Sequence, residues 1–275
     1  MTAAASYVLG HSEAELERLQ LQASVIGGVT SRLIADCGIA KGCSVLEVGC
    51  GAGDVTLLLA AAVGTHGKVL AFDREAKAID TTRARLTKAG YANVDYMVGD
   101  RFDFPGHAPF DAVFGRYVLV HQADPAAMLR DAARVVRPGG VIAFHELLLD
   151  PRASTCSIPP VTSFAAIADA VGTAYRSNLA SPNVADQFVA VFGAAGLPAP
   201  TIIWECLAGN WQSPIVNWAI SSYASLQRFA AQNPQIELSG EPQDLLLKVQ
   251  ADLRAVNAQV MSRPQVCAWA VRGTG

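Results

Sequence analysis

The sequence predicts an α/β protein: a doubly wound, Rossmann-like, mostly parallel sheet with helices on both faces and an added helical cap. Three observations carry that expectation. From Ser44 to about Leu149, short runs rich in Val, Leu and Phe alternate with helix-length patterns. Such interleaving builds βαβ units, and these place helices on both faces of a parallel sheet. A dense glycine cluster, VLEVGCGAGD from Val45 to Asp54, sits where the first run gives way to the first helix. Finally, 275 residues with 51% hydrophobic and 16% charged side chains can bury a large core with a cap.

The elements follow in order. Ser12-Glu13-Ala14-Glu15 fits a capping box, and Leu16, Leu19, Ala23, Ile26 and Leu33 then mark one face of a helix to Ala35, with a kink expected at Gly27-Gly28. SVLEVG (44–49) is the first strand and DVTLLLAAAV (54–63) a helix closed by GTHGK. KVLAFD (68–73) is the second strand, followed by a helix over 75–90 that ends at Gly90. Strands are expected at 93–99, 110–117 and 141–149. Between the last two, DPAAMLRDAARVVRPGG (124–140) is a helix opened by Asp-Pro and closed by Pro-Gly-Gly. Beyond it the sequence predicts a loop over 151–160, helices at about 161–177 and 184–195, a strand over 201–209, helices at about 213–232 and 242–262, and a last strand over 265–273.

Composition narrows the function. Net charge is -3 and no lysine-arginine run occurs, which gives nucleic-acid binding little electrostatic support. The N-terminus has no cationic start, so no secretory signal is expected. The apolar run Val55–Val63, broken by Thr56, is too short for a membrane span. The six cysteines form no CxxC pair and read as reduced residues of a cytoplasmic protein; with the five histidines they offer no zinc spacing, and no metal is expected.

At the glycine cluster, the dinucleotide fingerprint GxGxxG would need its third glycine at position 54, which is Asp54. An aspartate at a helix start also disfavours phosphate on those amides. The stretch therefore favours a nucleoside ligand without phosphates. The pattern that fits is acid-x-Gly-x-Gly-x-Gly, from Glu47 through Gly49 and Gly51 to Gly53. Here the chain resembles the class I S-adenosylmethionine-dependent methyltransferases, over about residues 44–149. The opening YVLGHSEAELERLQLQA is loosely similar to a small-molecule subgroup that includes quinone-biosynthesis enzymes.

The resemblance implies a set of roles. Glu47 and the glycine loop pass beside the methionine part and ribose of the cofactor. Asp73, at the end of VLAFD with Arg74 next to it, binds the ribose hydroxyls, since a carboxylate accepts two hydrogen bonds from a vicinal diol. Asp100 in MVGD, followed by Arg101 and Phe102, binds the adenine. Arg116, in FDAVFGRYVLVH, falls beside the cofactor. An N-terminal segment with Tyr7 folds over it, although plain packing is the competing reading of that tyrosine. The implied domains are an N-terminal helical lid (1–35), a cofactor-binding core (36–150), and remaining core strands with an inserted helical substrate cap (151–275).

His121 follows the fourth strand, on the rim where the resemblance puts the methyl acceptor. An imidazole of ordinary pKa, about 6.5, could take a proton from an acceptor hydroxyl. Helix capping is the competing role. Glu146, at the end of the fifth strand, is the second catalytic candidate, and His145 should point to the opposite face. The cap's aromatics, including Phe164, Trp204, Trp211 and Tyr223, are candidate pocket walls, equally explained as core. The expected activity is methyl transfer from S-adenosylmethionine to a small hydrophobic molecule, releasing S-adenosylhomocysteine, with a homodimer admitted. The rivals are a protein of this fold that binds the cofactor without transferring methyl (cyclase-like or regulatory), and a protein or nucleic-acid methyltransferase. Against the last, FGRYV stands at 114–118, where an Asn/Asp-Pro-Pro-aromatic signature would fall.

Overall fold

The structure, a computed structural model, describes residues 13–100, 102–104, 107, 109–153, 155–230 and 240–273. The first half runs α1 (Glu13–Asp36), β1 (Ser44–Val48), α2 (Asp54–Val63), β2 (Lys68–Asp73), α3 (Ala76–Lys88), β3 (Val94–Val98), β4 (Phe110–Arg116), α4 (Pro125–Val135) and β5 (Val136–Leu147). The second runs β6 (Cys156–Ile158), α5 (Thr162–Asn178), α6 (Phe188–Ala194), β7 (Thr201–Glu205), β8 (Ala208–Gly209), α7 (Pro214–Ala230), α8 (Pro242–Ala255), β9 (Gln259–Met261) and β10 (Gln265–Val271).

Seven strands form one sheet in the order β3-β2-β1-β4-β5-β10-β7. The pairs β1–β2, β2–β3, β1–β4 and β4–β5 are parallel, and β10 runs antiparallel to β5. This is the doubly wound, mostly parallel sheet the sequence predicts. Strand order reverses between β1 and β4, and in open α/β sheets ligands bind outside the C-terminal strand ends at that point. β1 is apolar almost throughout because both faces of a central parallel strand are covered. Val45, Leu46 and Val48 are buried, and so is the one acid among them, Glu47.

Several boundaries differ from the expectation. α1 continues through Gly27-Gly28. α4 stops at Val135, and RPGG is the extended start of β5. Gly139 and Gly140 there exchange hydrogen bonds with Arg272 (2.9 and 2.8 Å), and a Cβ on Gly140 would lie 2.6 Å from the Asp111 carbonyl oxygen. The glycines serve a bulged strand pairing, with the register shift near Phe110, rather than a turn. The expected helix over 242–262 ends at Ala255. Asn257 takes a left-handed φ of 49°, Ala258 N–H donates to Leu253 O and Asn257 N–H to Arg254 O. That is a Schellman ending with Asn in the usual glycine place. The apolar spacing of Val249, Leu253, Val256 and Val260 continues a helical period past this stop, and so hides β9. Likewise 151–160 holds β6, and 201–209 splits between β7 in the large sheet and β8 in a small one.

The described residues divide into two compact units. One takes α1 up to Ile26, Leu148–Leu179 and Glu205–Pro264; the other takes Gly27–Leu147, Ala180–Trp204 and the stretch from Gln265 onward. The first has its own core, in which Phe164, Val216, Leu226, Val249 and Val260 of α5, α7, α8 and β9 are buried. Its small sheet has the order β6-β9-β8. Phe164 and Tyr223 belong to that core and Trp211 packs against it. Trp204, on β7, is 56% exposed.

Candidate active site

The second unit carries the glycine turn. Gly49, Gly51 and Gly53 all have positive φ (70°, 54° and 82°), which a β-carbon disfavours. Their surroundings differ. A Cβ on Gly49 would lie 2.8 Å from Val118 Cγ2, and one on Gly53 would crowd Thr82 at 3.0 Å, whereas at Gly51 it would meet nothing within 4 Å. Two of the three glycines therefore allow close packing, and Gly51 faces open space. Thr82 Oγ1 donates to Gly51 O at 3.0 Å, and Arg85 donates to Ala52 O. Arg85 also pairs with Asp54 at 2.7 Å, so the first-turn carboxylate of α2 is held beside the amides that a diphosphate would need.

β1 and β2 pair in register, Val48 opposite Phe72, and this sets Asp73 beside the turn. Gly51 N–H donates to Asp73 Oδ2 and Glu75 N–H to Oδ1, both at 3.0 Å. Each oxygen keeps an acceptor site, and the two backbone donors fix the carboxylate plane. Gly99 N–H donates to Asp73 O at 2.9 Å, which brings the end of β3 alongside. Asp100 follows there and is exposed. Phe102 packs edge-on to Phe72 at 6.0 Å and to Phe104 at 5.8 Å. Arg74 lies 3.7 Å from Glu75. Tyr7 and Arg101 lie outside the described residues.

Glu47 is 1% exposed, and burial pushes its carboxyl up to about 8. Thr56 and Arg116 oppose the rise, yet Oε2 has no hydrogen-bond partner among the described residues. Arg116, at the end of β4, donates to Thr30 Oγ1 at 3.2 Å. Burial lowers the pKa of its guanidinium, the nearby acids opposing.

His121 closes a 3-10 turn, Leu119–His121, that follows β4. Burial, with the charge of Arg74, pushes its imidazole down to about 4. The ordinary value of about 6.5 expected from the sequence is thus corrected, because the ring is desolvated next to a cation. Glu146 is fully buried, and its Oε1 accepts from the backbone N–H groups of Val118 (2.9 Å) and Leu119 (2.7 Å). The carboxyl is pushed up to about 8 by burial, those amides opposing. It ties β5 to the turn that carries His121. His145 faces the other way, as alternation requires: Nδ1 lies 3.1 Å from Thr30 Oγ1 and Nε2 3.0 Å from Gln265 Oε1. Tyr117, with a φ of 56°, donates to the same Gln265 oxygen at 2.5 Å. Sequence reasoning missed Thr30, Thr82, Arg85 and Gln265, which reach the site from remote elements and carry no local motif.

The fold, the glycine turn and the acid ending β2 narrow the class, and part of the chain matches a methyltransferase family. Residues 39–157 match a family described as "Methyltransferase domain". The chain is 32% identical over 104 residues to a demethylmenaquinone methyltransferase of Lactococcus lactis, a stretch that is 38% of this chain and 41% of that protein. It is 36% identical over 106 residues to the chloroplastic 2-phytyl-1,4-beta-naphthoquinone methyltransferase of Arabidopsis thaliana, covering 37% of this chain and 41% of that one. The chain thus spans less than half the length of these curated relatives. In fold it is similar to a putative methyltransferase of Bacillus halodurans, with a TM-score of 0.57 and 17% identity over 89% of this chain and 99% of the other. It is also similar in fold to the cyclase SpnF, with a TM-score of 0.55 and 17% identity over 90% and 80%. Among the described residues no helix is long and apolar enough to cross a membrane.

Proposed function

We propose that the protein transfers a methyl group from S-adenosylmethionine to a small, hydrophobic acceptor bearing an ionisable hydroxyl, of which a reduced quinone ring is the type. The observation that carries this reading is the Asp73 carboxylate, aligned by two backbone N–H groups beside a glycine that faces open space. When bound, the cofactor supplies a methyl on a sulfonium, which an acceptor lone pair displaces in line as the C–S electron pair returns to sulfur. The residues provide binding and alignment, which is most of what so good an electrophile requires. Asp73 accepts from the ribose diol, Gly51 admits the ribose, Asp100 and Phe102 hold the base, and Glu47 with Arg116 faces the methionine end. His121 accepts the acceptor's proton, and Glu146 positions its turn.

The proposal keeps the division expected from the sequence. Residues 36–150 hold the cofactor, and the helical parts of 1–35 and 151–275 choose the acceptor. The names of the curated relatives support a quinone-like acceptor. The six free cysteines support a cytoplasmic location.

Calorimetry with S-adenosylhomocysteine and with NAD, followed by assay for S-adenosylhomocysteine release with demethylated naphthoquinols, tests the reading. Binding of NAD alone refutes the site. Binding of the adenosyl compound without methyl transfer to any acceptor favours the cyclase-like rival, whose fold SpnF shares.

A further inference from the structure

Arg116 is a cation at the switch point with no carboxylate at ion-pair distance among the described residues. Among the described residues its guanidinium donates to Thr30, a side chain that is 0% exposed. Arg116 is partly buried, and a guanidinium in such a place gains from a charge-assisted contact with an anion. Glu47 is not at ion-pair distance from it, and burial pushes that carboxyl up to about 8 against the pull of the Arg116 charge. The cofactor reading requires one carboxylate at this end of the site, that of the methionine moiety.

Behind Arg116 the polar groups form a chain. Its Nη1 donates to Thr30 Oγ1 (3.2 Å), Thr30 meets His145 Nδ1 (3.1 Å), and His145 Nε2 meets Gln265 Oε1 (3.0 Å), which also accepts from Tyr117 OH (2.5 Å). One proton arrangement satisfies these four contacts. Tyr117 and His145 Nε2–H both donate to Gln265, so Nδ1 is bare and accepts from the Thr30 hydroxyl, whose oxygen accepts from Arg116. It requires a neutral imidazole, and burial beside Arg116 pushes His145 down to about 3. Four separate elements contribute: α1, β4, β5 and β10. A network so connected, with Thr30, His145 and Gln265 buried, holds its members in one geometry.

We propose that Thr30, His145 and Gln265 form a positioning relay that fixes the Arg116 guanidinium as the receptor for the cofactor's carboxylate. This rests on the methyltransferase reading of the site. The relay residues touch one another and Arg116; Arg116 alone touches the ligand.

The test compares two ligands by calorimetry on the full chain: S-adenosylhomocysteine, which carries the carboxylate, and 5′-methylthioadenosine, which lacks the whole amino-acid end. Thr30→Val keeps the shape and removes the hydroxyl. It should weaken S-adenosylhomocysteine about tenfold or more and leave methylthioadenosine unchanged, while Thr30→Ser should bind both as the parent does. Arg116→Gln should show the same selectivity more strongly, up to about a hundredfold. Equal losses for both ligands, or no loss in Thr30→Val, overturns the relay. Failure of the parent protein to bind either ligand refutes the site itself, a result distinct from failure of the relay.

Discussion

The two rims of the proposed cofactor site are built by different means. At the ends of β1 and β2 the backbone does the arranging: the amides of Gly51 and Glu75 orient Asp73. At the ends of β4 and β5 buried side chains do it. Glu146 holds the turn under His121, and Thr30, His145 and Gln265 stand behind Arg116. A backbone-built rim needs only a short run of residues with the right φ. A side-chain-built rim needs partners from distant parts of the chain, and its titratable groups are desolvated. The first should tolerate pH and depend on glycine; the second should be sensitive to both protonation and isosteric change.

The largest effect is expected on the second rim. His121→Ala should lower turnover about a hundredfold with cofactor binding intact, the usual scale for a general base. With the imidazole near 4, the parent's rate should hold from pH 8 to about 5 and fall only toward 4. A fall centred at 6.5 would mean the ring is solvated in action. The associated stability runs the same way. The folded value lies below the ordinary one, so the contribution is complete above about 6.5 and is lost as pH falls toward 4. On the first rim, Asp73→Ala should weaken S-adenosylhomocysteine by about 1.5–3 kcal/mol, the scale of charge-assisted hydrogen bonds. Calorimetry that finds unchanged affinity in a folded variant would place the ribose elsewhere.

Gly49→Ala sharpens the contrast, since it adds a β-carbon at φ 70° against Val118. It should cost about 1–3 kcal/mol in chemical denaturation. Gly51→Ala should cost only the backbone part of that, and should lose cofactor affinity instead. The smallest effect belongs to Glu146→Gln. The carboxyl sits near 8 in the folded protein against about 4.5 ordinarily. Its contribution is therefore present below about 4.5 and withdrawn as pH rises toward 8. The amide still accepts from Val118 and Leu119, so the variant should gain melting temperature relative to the parent at pH 8 but not at pH 5. Parallel profiles would show that the carboxyl titrates normally.

This contrast also explains what the sequence disclosed. The strand-turn-helix at Glu47–Asp54 and the acid ending β2 are local patterns, and the structure brings them together at 3.0 Å. The helix start at Asp124-Pro125 was equally readable, and Asp124 Oδ1 caps Ala127 N–H at 2.9 Å. Thr30 and Gln265 were not readable, because a buried hydroxyl on a helix and an amide at a strand start look like any others until the fold sets them around His145. His121 stands out in the sequence by position alone, and its depressed pKa does not show there, since desolvation is a property of the packed state. The short strands β6, β8 and β9 escaped because two or three residues carry no period of their own.

The last strand in the chain lies inside the large sheet, between β5 and β7. Seven residue pairs join β10 to β5, from Gln265–Leu147 to Val271–Val141. During synthesis, then, residues 136–147 leave the ribosome long before the segment that covers their edge. For that interval the nascent sheet presents an open row of backbone donors and acceptors, which is a template for aggregation. Gln265, the first residue of that late strand, also completes the contacts of Tyr117 and His145. Order around Tyr117 and His145 and protection of the β5 edge therefore arrive together, when β10 pairs. A chain shortened before position 265 should be insoluble before it is inactive.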